Sequence, residues 1–169
     1  KRELIARFAD PKKFVSDEHP VSLFMAGSPG AGKTEVSKRL IEQFSGKLPV
    51  RIDADEIREL FPNYTGANSH IFQRACSIGV NKLFDYVLDK NINVILDGTF
   101  AYGRAIENIE RSLSHGRRVV VYYLFQDPLI AWKFTQIREE QEGRRVARDV
   151  FISAFFRAQE NVRSVKKHF

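Results

Sequence analysis

Apolar residues fall into two kinds of pattern along the chain. Four short runs are almost continuously apolar: VSLFMAG (21–27), VRIDAD (50–55), NVILDGT (93–99) and RVVVYYLF (118–125). Their length and their β-branched and aromatic content predict buried strands, the last run being the richest. Between the runs the apolar positions recur at helical spacing. A helix is predicted from Lys33, burying Val36, Leu40 and Phe44. A second runs from about 69 to 89, with a stripe of Cys76, Val80, Leu83, Phe84, Val87 and Leu88. A third covers roughly 104–114. A fourth follows Asp127-Pro128, with proline in the first turn, and is expected to bury Ile130, Phe134 and Ile137. The last presents Phe151, Ala154, Phe155, Ala158, Val162 and Val165 on one face. Alternating strands and helices predict an α/β fold: a three-layer sandwich whose mainly parallel sheet has four strands, with a fifth allowed for. Ligands of such sheets sit at the carboxyl ends of the strands.

Bulk properties narrow the class. At 169 residues the chain fits one domain, with 1–20 expected as an N-terminal helical extension and 138–149 as a lid. A single cysteine, Cys76, rules out an internal disulfide and fits a reducing, cytoplasmic setting. There is no apolar stretch of about eighteen residues to span a membrane. The N-terminus, KRELIARFADPKK, has no signal-like block. It also lacks an initiator methionine, as expected of a chain that begins inside a longer gene product. Net charge is 27 − 21 = +6, which suits phosphate-bearing ligands. Nucleic acid suits it too, although no aromatic stacking platform is evident. His19, His70, His115 and His168 show no metal-ligand spacing.

The strongest motif is GSPGAGKT (27–34), a full G-x-x-x-x-G-K-[ST] match between a predicted strand and a predicted helix. It predicts a P-loop NTPase fold. The segment Ser28, Pro29, Gly30, Ala31, Gly32, Lys33 and Thr34 would surround the phosphates of ATP, Ser28 and Ala31 as loop filler. Its backbone N–H groups would point at phosphate oxygens, backed by the helix N-terminus. Lys33 would reach the β- and γ-phosphates, and Thr34 would offer its hydroxyl to Mg²⁺.

Acidic residues follow two other strands. In IDADEIR, Asp53 or Asp55 can serve as a general base toward an acceptor hydroxyl, and either can equally cap the following helix. Arg58, one turn on, can touch a substrate or pair with Glu59. In ILDGT, Asp97 has a Walker-B-like setting, aimed at Mg²⁺ or its water shell, while Thr99 can contact substrate or cap a helix. Late in the chain, TQIREEQEGRRVAR carries Arg138, Arg144, Arg145 and Arg148, with Gly143 expected to end the helix that holds Arg138. Arginines at such a junction suit a mobile lid that neutralises a phosphoryl group in transfer.

Taken in order, GSPGAGKT, IDADEIRELFPNY, NVILDGTF and DPLIAW…TQIREEQEGRRV resemble the zeta toxin family, the P-loop kinases of bacterial toxin–antitoxin systems, over residues 21–165. The resemblance implies ATP- and Mg²⁺-dependent phosphorylation of a sugar hydroxyl of UDP-N-acetylglucosamine, which blocks cell-wall synthesis, and an antitoxin protein or inhibitory segment as partner. It assigns Asp55 as the base, with Lys33, Arg138 and Arg145 as its catalytic companions and Arg144 as the alternative to Arg145. Asp97 is placed beside Mg²⁺ and substrate, with Arg58 and Thr99 near the sugar nucleotide. Two departures stand out. Ala101 occupies a position where the family prototype has arginine, with Arg104 three residues on, and Asn81 replaces a carboxylate. A fifth parallel strand would also normally follow residue 169.

Overall fold

In the computed structural model, which describes residues 2–44 and 46–168, the four apolar runs form one parallel sheet. The elements are α1 (Arg2–Phe8), β1 (Val21–Ala26), α2 (Lys33–Glu42), β2 (Val50–Asp53), α3 (Ala54–Arg58), α4 (Gln73–Asp89), β3 (Val94–Asp97), α5 (Ala105–Ser114), β4 (Arg118–Tyr123), α6 (Pro128–Glu142) and α7 (Arg148–His168). Strand order is β2-β3-β1-β4. The register sets Ser22 opposite both Val94 and Val119, and Asp53 opposite Asp97. The strand that feeds the phosphate loop therefore lies between β3 and β4, and two aspartates share one carboxyl edge.

Because side chains alternate across a strand, the sheet supplies two cores. Phe24, Ala26, Val50, Ile52, Val94 and Leu96 face α1, α4, α5 and α7. Leu23, Met25 and Ile95 face Val36, Leu40, Ile41 and Phe44 around α2. Phe24 sits edge-on to both Phe84 and Phe100, with centroids 6.0 and 5.9 Å away. The three-layer α/β arrangement predicted from the pattern is thus present, with four strands among the described residues.

Several local expectations are corrected. β2 ends at Asp53 rather than residue 55, because the Asp53 carboxylate accepts the Asp55 N–H at 2.9 Å and starts α3. α4 begins at Gln73, not near 69. The preceding segment is held in turns, with Phe72 stacked on Phe61 at 5.0 Å. The segment expected at 1–20 as a helical extension is helical, among the described residues 2–20, only in α1; the remainder of those is irregular, and Asp17 is tied to the sheet by Asn93 at 2.9 Å. In α6 the inward positions are Ala131 and Thr135, while Ile130 and Phe134 are 48% and 46% exposed and Ile137 is half-buried. The cause is a close approach to the phosphate loop. A side chain added at Gly30 would lie 2.1 Å from the Ala131 carbonyl, so no bulky residue fits on that face.

Opposite the site edge, Arg117 is 3% exposed, and among the described residues its hydrogen bonds go to a hydroxyl and to carbonyls, with Asp17 acting on it at longer range. Its guanidinium donates to Ser22 Oγ at 2.7 Å and to the carbonyls of Ile92 and Val21 at 2.5 and 3.1 Å. Burial lowers its pKa to about 10. It closes the amino edge of the sheet by satisfying backbone acceptors that water cannot reach. Arg117→Met removes these donors at once and is expected to lower folding stability by about 3 kcal/mol, since each orphaned buried acceptor costs about 1–3 kcal/mol. Urea denaturation followed by circular dichroism checks this.

Candidate active site

The phosphate loop bends between β1 and α2. Its entry is fixed to β3, since the Gly27 N–H donates to the Thr99 carbonyl at 3.1 Å. Gly27 has φ of +140°, and a Cβ there would meet the Leu124 carbonyl at 2.5 Å, so only glycine fits. Lys33 is 9% exposed. Its ammonium turns back into the loop and donates to the Ser28 carbonyl at 2.6 Å. Burial pulls its pKa down to about 8, against the opposing pull of Asp97; Arg144 lowers it further, while Asp53 and Asp55 raise it. Four charged groups from three other segments thus act on this ammonium electrostatically. Thr34 follows at the first turn of α2, half-buried.

At the sheet edge the carboxylates are held by a residue the sequence reading passed over. Arg51 lies in β2 with its side chain 8% exposed. Its Nε donates to Ser37 Oγ and Asp97 Oδ2, each at 3.0 Å. One terminal nitrogen bonds Asp97 Oδ2 and Asp53 Oδ2, each at 2.6 Å, and the other pairs with Glu56. Ser37 Oγ also donates to Asp97 Oδ2 at 2.6 Å. Burial, with the Asp55 charge beside it, pushes the Asp53 carboxyl up to about 6. A charged residue in the middle of a buried strand, two positions from an aspartate, was the available signal, because such a charge requires partners.

Asp55 sits in the first turn of α3, with its side chain 28% exposed. Each oxygen is taken by a guanidinium: Arg58 pairs with Oδ1 and Arg144 with Oδ2. Arg58 is therefore not paired with Glu59, as was one expectation. It is buried, and it also donates to Gln73 Oε1 at 2.9 Å. Thr99 is half-buried beside the loop, its hydroxyl accepting the Ala101 N–H at 3.3 Å. Phe100 follows with φ of +59°, a strained setting held by Asn161 of α7, which donates to its carbonyl at 2.8 Å.

The lid arginines divide. α6 ends where Gly143 begins the connection to α7, as the sequence indicated. Arg144 reaches Asp55. Arg138 instead bonds Glu142, one turn along its own helix, at 3.1 and 3.2 Å. Arg145 is exposed and lies 3.8 Å from Glu139. Arg104 pairs with Glu107 on the surface. Trp132 packs edge-on against Phe151 at 5.2 Å, and Cys76 is fully buried core. No helix among the described residues is long and apolar enough to cross a membrane.

Comparison with known proteins sets this geometry in a family. The chain superposes on a chain of the PezAT chromosomal toxin–antitoxin system of the human pathogen Streptococcus pneumoniae with a TM-score of 0.78 at 19% identity, covering 98% of this chain and 70% of that one. A chain of the Pnkp1/Rnl/Hen1 RNA repair complex matches with a TM-score of 0.68 at 18% identity, covering 88% of this chain and 47% of the other. At these identities the likeness is one of fold. The search of curated proteins finds no match. The zeta toxin family model matches residues 5–169, from α1 through α7, and on that match the chain belongs to the zeta toxin family.

Proposed function

We propose that the protein is an ATP-dependent phosphotransferase that phosphorylates a hydroxyl of a sugar nucleotide, UDP-N-acetylglucosamine or a close relative, and so blocks cell-wall synthesis. The zeta toxin family is one of P-loop kinases, which in general use ATP and Mg²⁺. The observation that carries the reading is that Asp53 and Asp97 share one nitrogen of Arg51 at the carboxyl edge of the sheet while Asp55 pairs with Arg144 from the connection after α6. Candidate base, metal-side carboxylate and lid arginine thus come from distant segments, all within electrostatic reach of Lys33.

The donor set fits a triphosphate. Lys33 is a buried cation whose hydrogen-bond partner is a loop carbonyl rather than a carboxylate, and phosphate oxygens would supply the missing counter-charge. Residues 28–34 would wrap the phosphates, with the N–H groups of α2's first turn behind them. Thr34 and Asp97 would hold Mg²⁺, which would neutralise charge on the β- and γ-phosphate oxygens when bound. Ser37 and Arg51 both bond Asp97 through Oδ2, so Oδ1 would be the oxygen offered to the metal. Asp55 would accept the proton of the acceptor hydroxyl. Arg138 and one of the Arg144–Arg145 pair would neutralise the transferring phosphoryl, and the ion pair of Arg144 with Asp55 favours Arg144.

Room for the acceptor lies beside Thr99. A cavity of about 380 Å³ is lined by Thr99, Ala101, Tyr102, Asp149, Ser153 and Arg157. Arg104 is spent on Glu107, so Arg157 is the cation placed to meet an anionic group of the acceptor near Ala101. The likeness to the PezAT system supports an antitoxin, or an inhibitory segment, as the protein partner. A second reading, transfer to a polynucleotide 5′-hydroxyl, draws on the fold shared with the RNA repair chain and on the +6 charge. Sugar nucleotides, nucleosides and 5′-hydroxyl oligonucleotides assayed side by side for ADP release separate the two.

Lys33→Ala and Asp55→Ala should each abolish acceptor-dependent ADP formation. Asp55→Ala should still bind ATP, whereas Lys33→Ala should not, as read by fluorescent-nucleotide titration. Turnover surviving in Asp55→Ala removes the assigned base.

The Lys33 pKa of about 8 predicts a pH-dependent affinity. The ammonium is charged below that value and neutral above it, so ATP binding should hold from pH 6.5 to 7.5 and weaken as pH rises through 8 to 9.5. Since phosphate favours the charged form, binding at pH 8.5 should also take up protons. Isothermal titration in buffers of different ionisation enthalpy measures that uptake.

Arg157→Ala should raise KM for the acceptor about tenfold, the worth of one charge-assisted contact, with KM for ATP unchanged. Steady-state kinetics with each substrate varied in turn decides it.

A further inference from the structure

Arg51 is not among the groups assigned to phosphate, metal or acceptor, yet it is the most heavily bonded side chain at the site. Residues 51 and 53 of β2 and residues 95 and 97 of β3 share one face of the sheet by strand alternation, the face covered by α2. From there one guanidinium reaches four elements: Ser37 of α2, Asp97 at the end of β3, Asp53 at the end of β2 and Glu56 of α3. Two of these bonds have direct consequences. Asp97 Oδ2 takes Nε and a terminal nitrogen of Arg51 besides the Ser37 hydroxyl, so its remaining oxygen has one orientation. Asp53 uses Oδ2 for Arg51 and Oδ1 for the Asp55 N–H, so the clamp also fixes the turn that carries Asp55.

We propose that Arg51 is the positioning residue of this site: it sets Asp97 and the Asp55 turn in register with the phosphate loop, and by occupying Asp53 and Asp97 together it keeps those carboxylates from collecting a divalent cation before nucleotide arrives. Asp53 and Asp97 bond the same nitrogen at 2.6 Å each. Two carboxylates that close, with Asp55 nearby, would otherwise attract a hard cation. With Arg51 between them the pair is neutralised, and Thr34, Asp97 and the incoming phosphate oxygens would together hold the metal. A lysine cannot replace the fork: it has one charged nitrogen, whereas the bonds to Ser37, Asp53, Asp97 and Glu56 fan out from three.

The proposal rests on the phosphotransferase reading for its kinetic arm only. Wild type, Arg51→Lys and Arg51→Met are compared by steady-state kinetics and by Mn²⁺ titration in electron paramagnetic resonance without nucleotide. Arg51→Lys should lose about tenfold or more in kcat, the usual effect of removing an outer-shell partner, with KM for ATP within about twofold. A purely structural role would lower melting temperature and active fraction and leave kcat per ATP-binding site, with sites counted by nucleotide titration, unchanged. Arg51→Met should gain a nucleotide-free Mn²⁺ site at least about tenfold tighter than wild type. Unchanged kcat in Arg51→Lys, or no gain of Mn²⁺ affinity in a folded Arg51→Met, overturns the proposal. Should Arg51→Met fail to fold by circular dichroism, the kinetic split in Arg51→Lys decides. A wild type that transfers phosphate to no acceptor would end the phosphotransferase reading, and the Mn²⁺ comparison would still decide the role of Arg51.

Discussion

Charge balance at the carboxyl edge of the sheet is the constraint on which the other features depend. Lys33 and Arg51 are buried there with Asp53 and Asp97, in surroundings where an unpaired charge is costly. The two cations are held differently. Arg51 bonds carboxylates on both sides, while Lys33 has a loop carbonyl within hydrogen-bond distance and feels the acids at longer range. That difference leaves Lys33 as the group with the most to gain from an incoming anion. Its lowered pKa is the same fact expressed as a protonation equilibrium.

The sheet makes this balance achievable. β1 lies between β3 and β4, so the loop after β1 opens beside the end of β3. The bond from Gly27 to the Thr99 carbonyl joins the two. Ser37 then reaches Asp97 because α2 follows the loop and crosses the face to which Asp97 points. Small residues matter for the same reason. Gly30 against Ala131 lets α6 approach to backbone contact, and α6 carries the chain toward the connection that holds Arg144.

Much of this was legible in the sequence where the signal was local. The phosphate loop, four strands and most helices follow from spacing and composition, and Asp127-Pro128 and Gly143 bound α6 as their chemistry requires. The inward face of α6 was not legible, because Ile130 and Phe134 obey helical periodicity yet lie outward. What turned them is the loop's proximity, a tertiary effect with no trace in the helix's own pattern. Arg51 was missed for a related reason. Its strand reads as an apolar run, and its partners, Ser37 and Asp97, are 14 and 46 residues away. The choice between Asp53 and Asp55 was open in the residues alone. In the structure Asp53 serves as a helix cap and an Arg51 partner, while Asp55 is the more exposed carboxylate.

In this state the charged groups named at the site each have a partner: Lys33 the Ser28 carbonyl, Asp97 the Arg51 guanidinium, Asp55 both Arg58 and Arg144, and Arg138 the Glu142 carboxylate. A polyanion entering such a site does not meet bare charges. It exchanges partners, and the cost of each exchange depends on burial. The exposed Arg138–Glu142 pair is weakly held, as surface pairs are, and can be given up readily. The Arg51 contacts are buried and fixed by several bonds, so they stay. Arg144 lies between these extremes, with its side chain 27% exposed. It cannot serve Asp55 and a phosphate at full strength at once. On the proposed reading, drawing Arg144 toward phosphate would uncover one oxygen of Asp55, the atom that an acceptor hydroxyl would need, so the movement that neutralised the phosphoryl group would also free the carboxylate opposite it.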